Sequence, residues 1–286
     1  MTRCPKVISS LSSTTDIGSP PPTPSGRLRV DEPAAGVTRL TISNPAKRGA
    51  LDHAILDAFV ATLAALDARC VIVTGEGHTF SAGYDIANLD SETRETVADG
   101  AARLVAQPFA DALDALEAYP YPTIAALNGH AIGGGLELAL SCDLRLAAAP
   151  VKLGMPPAKL GLVYSHTGIR KFIDTIGAPR TRELFLVGGR IDAETALFWG
   201  LVNQVAAADE LGSTALALAS EIAGNAPLAQ AGNKRVIGAV LDGRAALAPA
   251  VERELLELRL GSLRSEDFRE GVRAFAEKRR PRWGGR

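Results

Sequence analysis

The chain has 286 residues, with 31 Lys and Arg against 32 Asp and Glu and a net charge of −1. Hydrophobic residues make up 47% and charged residues 22%, the balance of a soluble globular protein large enough to bury a core without disulfides or metals. The near-neutral charge excludes a general nucleic-acid binder, no apolar run nears the roughly 20 residues that span a bilayer, and the unusual count is 28 glycines.

Residues 1–26 are dominated by Ser, Thr and Pro from Ser9 onward and are expected to be a disordered extension. A mixed core is expected over 27–220 and a helical region over 221–286. Val37–Ile42 alternates as a strand does. Ile55, Phe59, Leu63 and Leu66 recur at helical spacing. Cys70–Val73 is a short apolar strand that ends at Gly75, and a longer helical stretch is interrupted at Pro108. Thr123–Leu127 and Leu144–Ala147 are further strands, and beyond Thr167 the pattern is mainly helical. Asp192 and Ser265 are predicted N-caps, the latter followed by Glu266 and Asp267 where a helix dipole favours acids. This alternation gives an α/β core with a helical C-terminal region. The three cysteines Cys4, Cys70 and Cys142 must leave at least one thiol unpaired, which favours a reducing, cytoplasmic setting. No Cys/His cluster suggests a metal site.

Two glycine-bearing segments stand out. Thr79–Ile86 reads T-F-S-A-G-Y-D-I, and Asn128–Leu140 reads N-G-H-A-I-G-G-G-L-E-L-A-L. The second runs from a strand into a helix. Three glycines there leave backbone N–H groups uncovered at a helix N-terminus, which favours negative charge. The spacing fits neither a dinucleotide-binding loop nor a P-loop. Close helix–strand packing is the structural alternative.

Together the segments resemble the two signatures of the crotonase (enoyl-CoA hydratase/isomerase) family, F-x-A-G-x-D-(L/I) and N-G-x-x-x-G-G-G-x-E-(L/I)-A. Asn44–Leu51 resembles a third family stretch, with Gly49 in place of the usual Asn. Ala274–Pro281 resembles the C-terminal A-F-x-E-K-R-x-P. The resemblance covers about residues 27–284. It implies a crotonase-like α/β fold, a spiral of ββα units followed by a C-terminal helical trimerisation region. It also implies coenzyme A thioester substrates, no permanently bound cofactor or metal, and a homotrimer or dimer of trimers. By the family's pattern, the backbone N–H groups of Tyr84 and Gly134 form an oxyanion hole for a thioester enolate. Glu137 is then the general acid/base; without the resemblance it is an ordinary first-turn acid. Substrate or CoA contacts are implied at Lys47, Arg48, Ala50, Ala82, Gly83, Asp85, Ile86, Gly133, Pro157, Phe275 and Lys278. Asp85 also reads as a carboxylate capping nearby amides, and Lys278–Arg280 as a solvated basic end.

One departure matters. Hydratases of the family carry a second glutamate in F-G-x-P-E-x-x-x-G, and this chain has Pro157 there. The stretch Met155–Tyr164 instead resembles the methylmalonyl-CoA decarboxylase branch, as does Ser265–Pro281. That branch has His where this chain has Tyr84. Tyr164 could bind a departing carboxylate, protonate a carbanion, or be a core tyrosine with a satisfied hydroxyl. Enoyl-CoA hydratase is the default activity, with decarboxylation, isomerisation or non-catalytic CoA binding as alternatives. A hydrolase would need Ser81, Ser141 or Ser165 beside a histidine.

Overall fold

The computed structural model describes residues 25–84, 107–242 and 249–282. The chain opens with strands β1 (Arg27–Ala34) and β2 (Val37–Ser43), paired antiparallel, and then α1 (His53–Ala65). The Asp52 carboxylate caps α1 by accepting the Ile55 N–H at 3.0 Å. Of the expected stripe, Ile55, Phe59 and Leu63 lie on the buried face of this helix, while Leu66 follows it as the C-cap residue and is half-buried.

A spiral follows. Each coil supplies one longer strand, then turns a corner into a three-residue strand. The coils are β3 (Cys70–Gly75) with β4 (Thr79–Ser81), β5 (Thr123–Leu127) with β6 (His130–Ile132), and β7 (Leu144–Ala148) with β8 (Lys152–Gly154). Helix α2 (Pro108–Ala118) precedes β5, and α3 (Gly134–Leu140) joins β6 to β7. Next come α4 (His166–Arg182), β9 (Arg190–Asp192), α5 (Ala193–Trp199) and β10 (Gln204–Ala206). The chain ends with α6 (Leu211–Gly224), α7 (Pro227–Asp242), α8 (Pro249–Arg264) and α9 (Glu266–Ala276).

The longer strands and the three-residue β10 form a six-stranded sheet in the order β1-β2-β3-β5-β7-β10, parallel from β2 onward. The other short ones form a second sheet, β4-β6-β8-β9. β5 is buried along its whole length, as a parallel strand covered on both faces must be. α6 packs across β2, β3, β5 and β7 through Leu211, Ala215, Ala219 and Ile222.

The coils stack tightly at their corners. A Cβ on Gly129 would lie 2.1 Å from the His78 carbonyl oxygen, so only glycine fits. Beside it, Asn128 Oδ1 accepts the Gly75 N–H at 2.9 Å, and its Nδ2 donates to the Gly77 carbonyl at 2.8 Å. The Asn-Gly that opens the second signature is therefore a joint between coils.

Asp192 and Ser265 cap α5 and α9 as expected, accepting the N–H groups of Thr195 and Phe268 at 2.9 Å each. Pro108 starts α2 at a position where its missing N–H has no intrahelical role. Beyond Thr167 the described residues are mainly helical, as expected, with the short strands β9 and β10 added between α4 and α6. Strands of three residues are too short to show a period of two. His166 is the first residue of α4.

Arg145 is buried on β7. Its guanidinium donates to the Leu201 carbonyl at 2.8 Å and the Cys142 carbonyl at 2.6 Å, and burial pulls its pKa below the usual arginine value. Arg145→Ala would strand both carbonyls. We expect a loss of about 3 kcal/mol, read as a fall of roughly 6–12 °C in the thermal midpoint. Cys70 and Cys142 are free and buried, and desolvation pushes each thiol up to about 12, so both stay protonated and inert. Among the described residues, no helix is long and apolar enough to cross a membrane, and no group of His, Cys, Asp and Glu could hold a metal ion.

Candidate active site

Residues 82–84 leave β4 beside the turn that follows β6, and both segments are held by backbone hydrogen bonds. Ser81 Oγ donates to the Gly49 carbonyl at 2.8 Å and accepts the Gly83 N–H at 3.1 Å. The Ala82 N–H donates to the Arg48 carbonyl at 3.1 Å, and the Leu51 N–H to the Gly83 carbonyl at 2.8 Å. Gly83 has φ +89°. On the other side Gly133, with φ 57° and ψ −126°, is the N-cap residue of α3 and donates its N–H to the Gly154 carbonyl at 2.9 Å. Both φ values lie where residues with side chains rarely go and would be strained.

The two segments meet. A Cβ on Gly83 would lie 2.7 Å from the Ile132 carbonyl oxygen and 3.1 Å from the Gly134 nitrogen. Gly134 and Gly135 open α3, so their N–H groups have no carbonyl within the helix to reach. The Leu136 and Glu137 N–H groups turn back to the Gly133 carbonyl at 2.9 and 3.1 Å. The Tyr84 ring lies across Gly134, two of its carbons 3.2 Å from where a Cβ would be. It meets the Phe109 ring edge-on at 4.6 Å. Phe109 escaped sequence reading because a phenylalanine one residue after a helix-opening proline carries no chemical signal. The structure thus gathers Ala82, Gly83, Tyr84, Gly133 and Gly134 into one backbone cradle, suited to an anionic oxygen.

Glu137 stands in the first turn of α3 and is buried, 3% exposed. Tyr164, also buried, donates its phenol O–H to Glu137 Oε2. The tyrosine ring packs edge-on against Phe185 at 5.4 Å, and Phe185 against Phe172 at 5.0 Å. The Glu137 main-chain carbonyl accepts the Ser141 N–H at 3.1 Å, and Ser141 Oγ in turn accepts Lys171 Nζ at 2.8 Å. A buried carboxylate joined to a phenol can hold a proton or pass one to a bound molecule.

Pro157 is buried at the start of a short 3₁₀ turn, and its carbonyl accepts the Leu162 N–H at 3.0 Å. α9 closes over this turn: a Cβ on Gly271 would lie 2.5 Å from the Leu160 carbonyl oxygen. Arg48 is exposed, Lys47 half-buried, and Ala50 buried with its carbonyl accepting Asn44 Nδ2 at 2.9 Å. Gly49, where the family has Asn, has φ +68°, a conformation that both residue types tolerate. Phe275 and Lys278 are exposed at the far end of α9. Of the basic run there, Arg279 is committed: it grips Glu270 with two nitrogens at 2.5 and 3.0 Å and lowers that carboxyl to about 2. Asp85 and Ile86 lie outside the described residues. The three serines considered as nucleophiles have structural partners; Ser165 Oγ, for example, caps α4 by accepting the Gly168 N–H at 3.1 Å.

The profile of the family described as enoyl-CoA hydratase/isomerase matches residues 32–286. The chain belongs to this family. Among curated enoyl-CoA hydratase/isomerase relatives, a carnitinyl-CoA dehydratase of Salmonella typhi is 35% identical over 269 residues, spanning 87% of this chain and 95% of its own. Among solved structures of the superfamily, a methylmalonyl-CoA decarboxylase superposes with a TM-score of 0.80 at 27% identity, covering 91% of this chain and 98% of that one. An enoyl-CoA hydratase of Bacillus anthracis superposes at 0.70 and 29% identity, covering 91% of this chain and 100% of that one. The expected crotonase fold, with neighbours in the decarboxylase branch, is thereby established.

Proposed function

We propose that the chain is an acyl-CoA lyase that forms a thioester enolate, held by the N–H groups of Tyr84 and Gly134. Glu137 and Tyr164 act as one proton-carrying unit. The observation that carries this is the buried Tyr164–Glu137 hydrogen bond, in the same helix turn as the glycine cradle and with Pro157 where a second acid would stand. In the hydratase direction, Glu137 takes a proton from water as its oxygen adds to Cβ of an enoyl thioester. Cα is then protonated, and with no carboxylate at 157 the phenol is the group able to relay that proton.

The second reading is decarboxylation, favoured by Pro157 itself. Breaking the bond from Cα to a carboxylate leaves the electron pair in the enolate without any base, and only a proton donor to Cα is needed. The decarboxylase neighbour has been solved with 2S-carboxypropyl CoA, a ligand of matching chemistry. For assembly, we propose a homotrimer or dimer of trimers. Val236, Ile237 and Val240 of α7 are 61%, 61% and 53% exposed and lie on one side of the helix, an apolar face that calls for a cover. Phe275 and Lys278 would then reach the CoA of a neighbouring subunit, and Lys47 and Arg48 the nucleotide of their own.

The test is a side-by-side assay of crotonyl-CoA hydration, 3-enoyl-CoA isomerisation and methylmalonyl-CoA decarboxylation with wild type and Tyr164→Phe. One lyase activity should dominate, and Tyr164→Phe should lower it about 10²-fold. Isomerisation alone, or CoA binding with no turnover, would overturn the lyase reading.

A further inference from the structure

α4 begins Ser165-His166-Thr167-Gly168, so Gly168 is the third residue of the helix after its N-cap. That position commonly carries Glu or Gln, and glycine within a helix costs about 0.5–1 kcal/mol relative to alanine. Its backbone gives no reason for glycine, since its φ lies outside the left-handed region. Space gives one. A Cβ on Gly168 would lie 2.6 Å from Glu137 Oε1, 2.7 Å from a Tyr164 ring carbon and 2.8 Å from Ser165 Oγ. The first two contacts are with the two members of the Tyr164–Glu137 pair.

The helices cannot readily part to make room. Three residues beyond Gly168, Lys171 donates to Ser141 Oγ at 2.8 Å, and Ser141 lies four residues beyond Glu137 on the other helix. Lys171 also pairs with Glu117 of α2. The contacts Gly168–Glu137 and Lys171–Ser141 are successive rungs between α3 and α4. Backing α4 away at the first rung strains the second.

We propose that Gly168 is a positioning residue: by having no side chain it leaves the space in which the Glu137 carboxylate and Tyr164 phenol align. This rests on the reading of Glu137 as the acid/base. A methyl group there would push the carboxylate off its line, and displacements of about 1 Å at a reacting group can cost about 10²-fold.

The test compares Gly168→Ala in the wild-type and Glu137→Ala backgrounds, measuring thermal midpoint, CoA affinity and turnover of the acyl-CoA thioester that wild type processes. In the wild-type background the variant should lose about 10²-fold in kcat, with KM and CoA affinity within about twofold, and should unfold earlier. In the Glu137→Ala background the 2.6 Å contact is gone and the Tyr164 ring can shift into the vacated space, leaving only the Ser165 Oγ contact, so the drop in midpoint should be clearly smaller than in the wild-type background. Unchanged kcat, or an equal drop in midpoint in both backgrounds, would overturn the proposal, because crowding of the carboxylate would then play no part. Glu137→Gln, run alongside, separates the two ideas. Full turnover there removes the acid/base reading itself, whereas an inactive Glu137→Gln with a fully active Gly168→Ala removes only the positioning role.

Discussion

Replacing Gly134 by proline is expected to cut turnover by about 10²–10³-fold in a protein that still folds and binds CoA. The first residue of a helix is where proline is best tolerated, since its missing N–H has no carbonyl to reach within the helix. Gly134 is that residue of α3. The substitution therefore deletes one proposed oxyanion donor and little else from the helix, and losing such a donor is worth about 2.7–4 kcal/mol of transition-state stabilisation. Crowding is the confounder, because a side chain there would press on the Tyr84 ring at 3.2 Å. Gly134→Ala adds the same Cβ against that ring and keeps the N–H, so the ratio of kcat values between the two variants removes the Cβ crowding and reads the loss of the N–H together with the two further ring carbons of proline. Equal activity in both would remove Gly134 N–H from the mechanism.

Glu137→Gln should be the most damaging conservative change, lowering turnover by about 10²–10⁴-fold. Glutamine keeps the volume, and its carbonyl oxygen can still accept the Tyr164 phenol, so packing and the thermal midpoint should barely move. What it cannot do is take or give up a proton. Single-turnover kinetics are the right measurement, since they separate the chemical step from product release. A wild-type rate in that experiment would leave Glu137 as a buried hydrogen-bond acceptor and nothing more.

How much of this could be read from the chain depends on what each residue does. Gly83, Gly133 and Gly134 were legible because glycine in sequence stands for a backbone requirement, and φ values of +89° and 57° at the first two are that requirement. Cys70–Val73 and Thr123–Leu127 were legible as buried strands because both faces of a parallel sheet are covered. The strands β4, β6, β8, β9 and β10, three residues each, left no periodic trace. Asn128-Gly129, read as part of a chemical signature, turned out to be joinery. Tyr164 was left between core and catalyst, and its bond to Glu137 depends on a contact across 27 positions that spacing alone does not reveal. Gly168 gave no signal at all, because what it leaves empty is filled by residues distant in sequence.

The stacked corners have a broader consequence. β4 and β6 are hydrogen-bonded neighbours, and the two halves of the glycine cradle are simply the next residues along each. The gap between those halves is therefore one thread of a screw, set by the roughly 4.8 Å spacing of adjacent strands. No side chain sets that pitch, so mutation can do little to widen or narrow it. The bore stays fixed while the Tyr84 side chain that lies across Gly134 is free to change, and with it what a cradle of one gauge can hold.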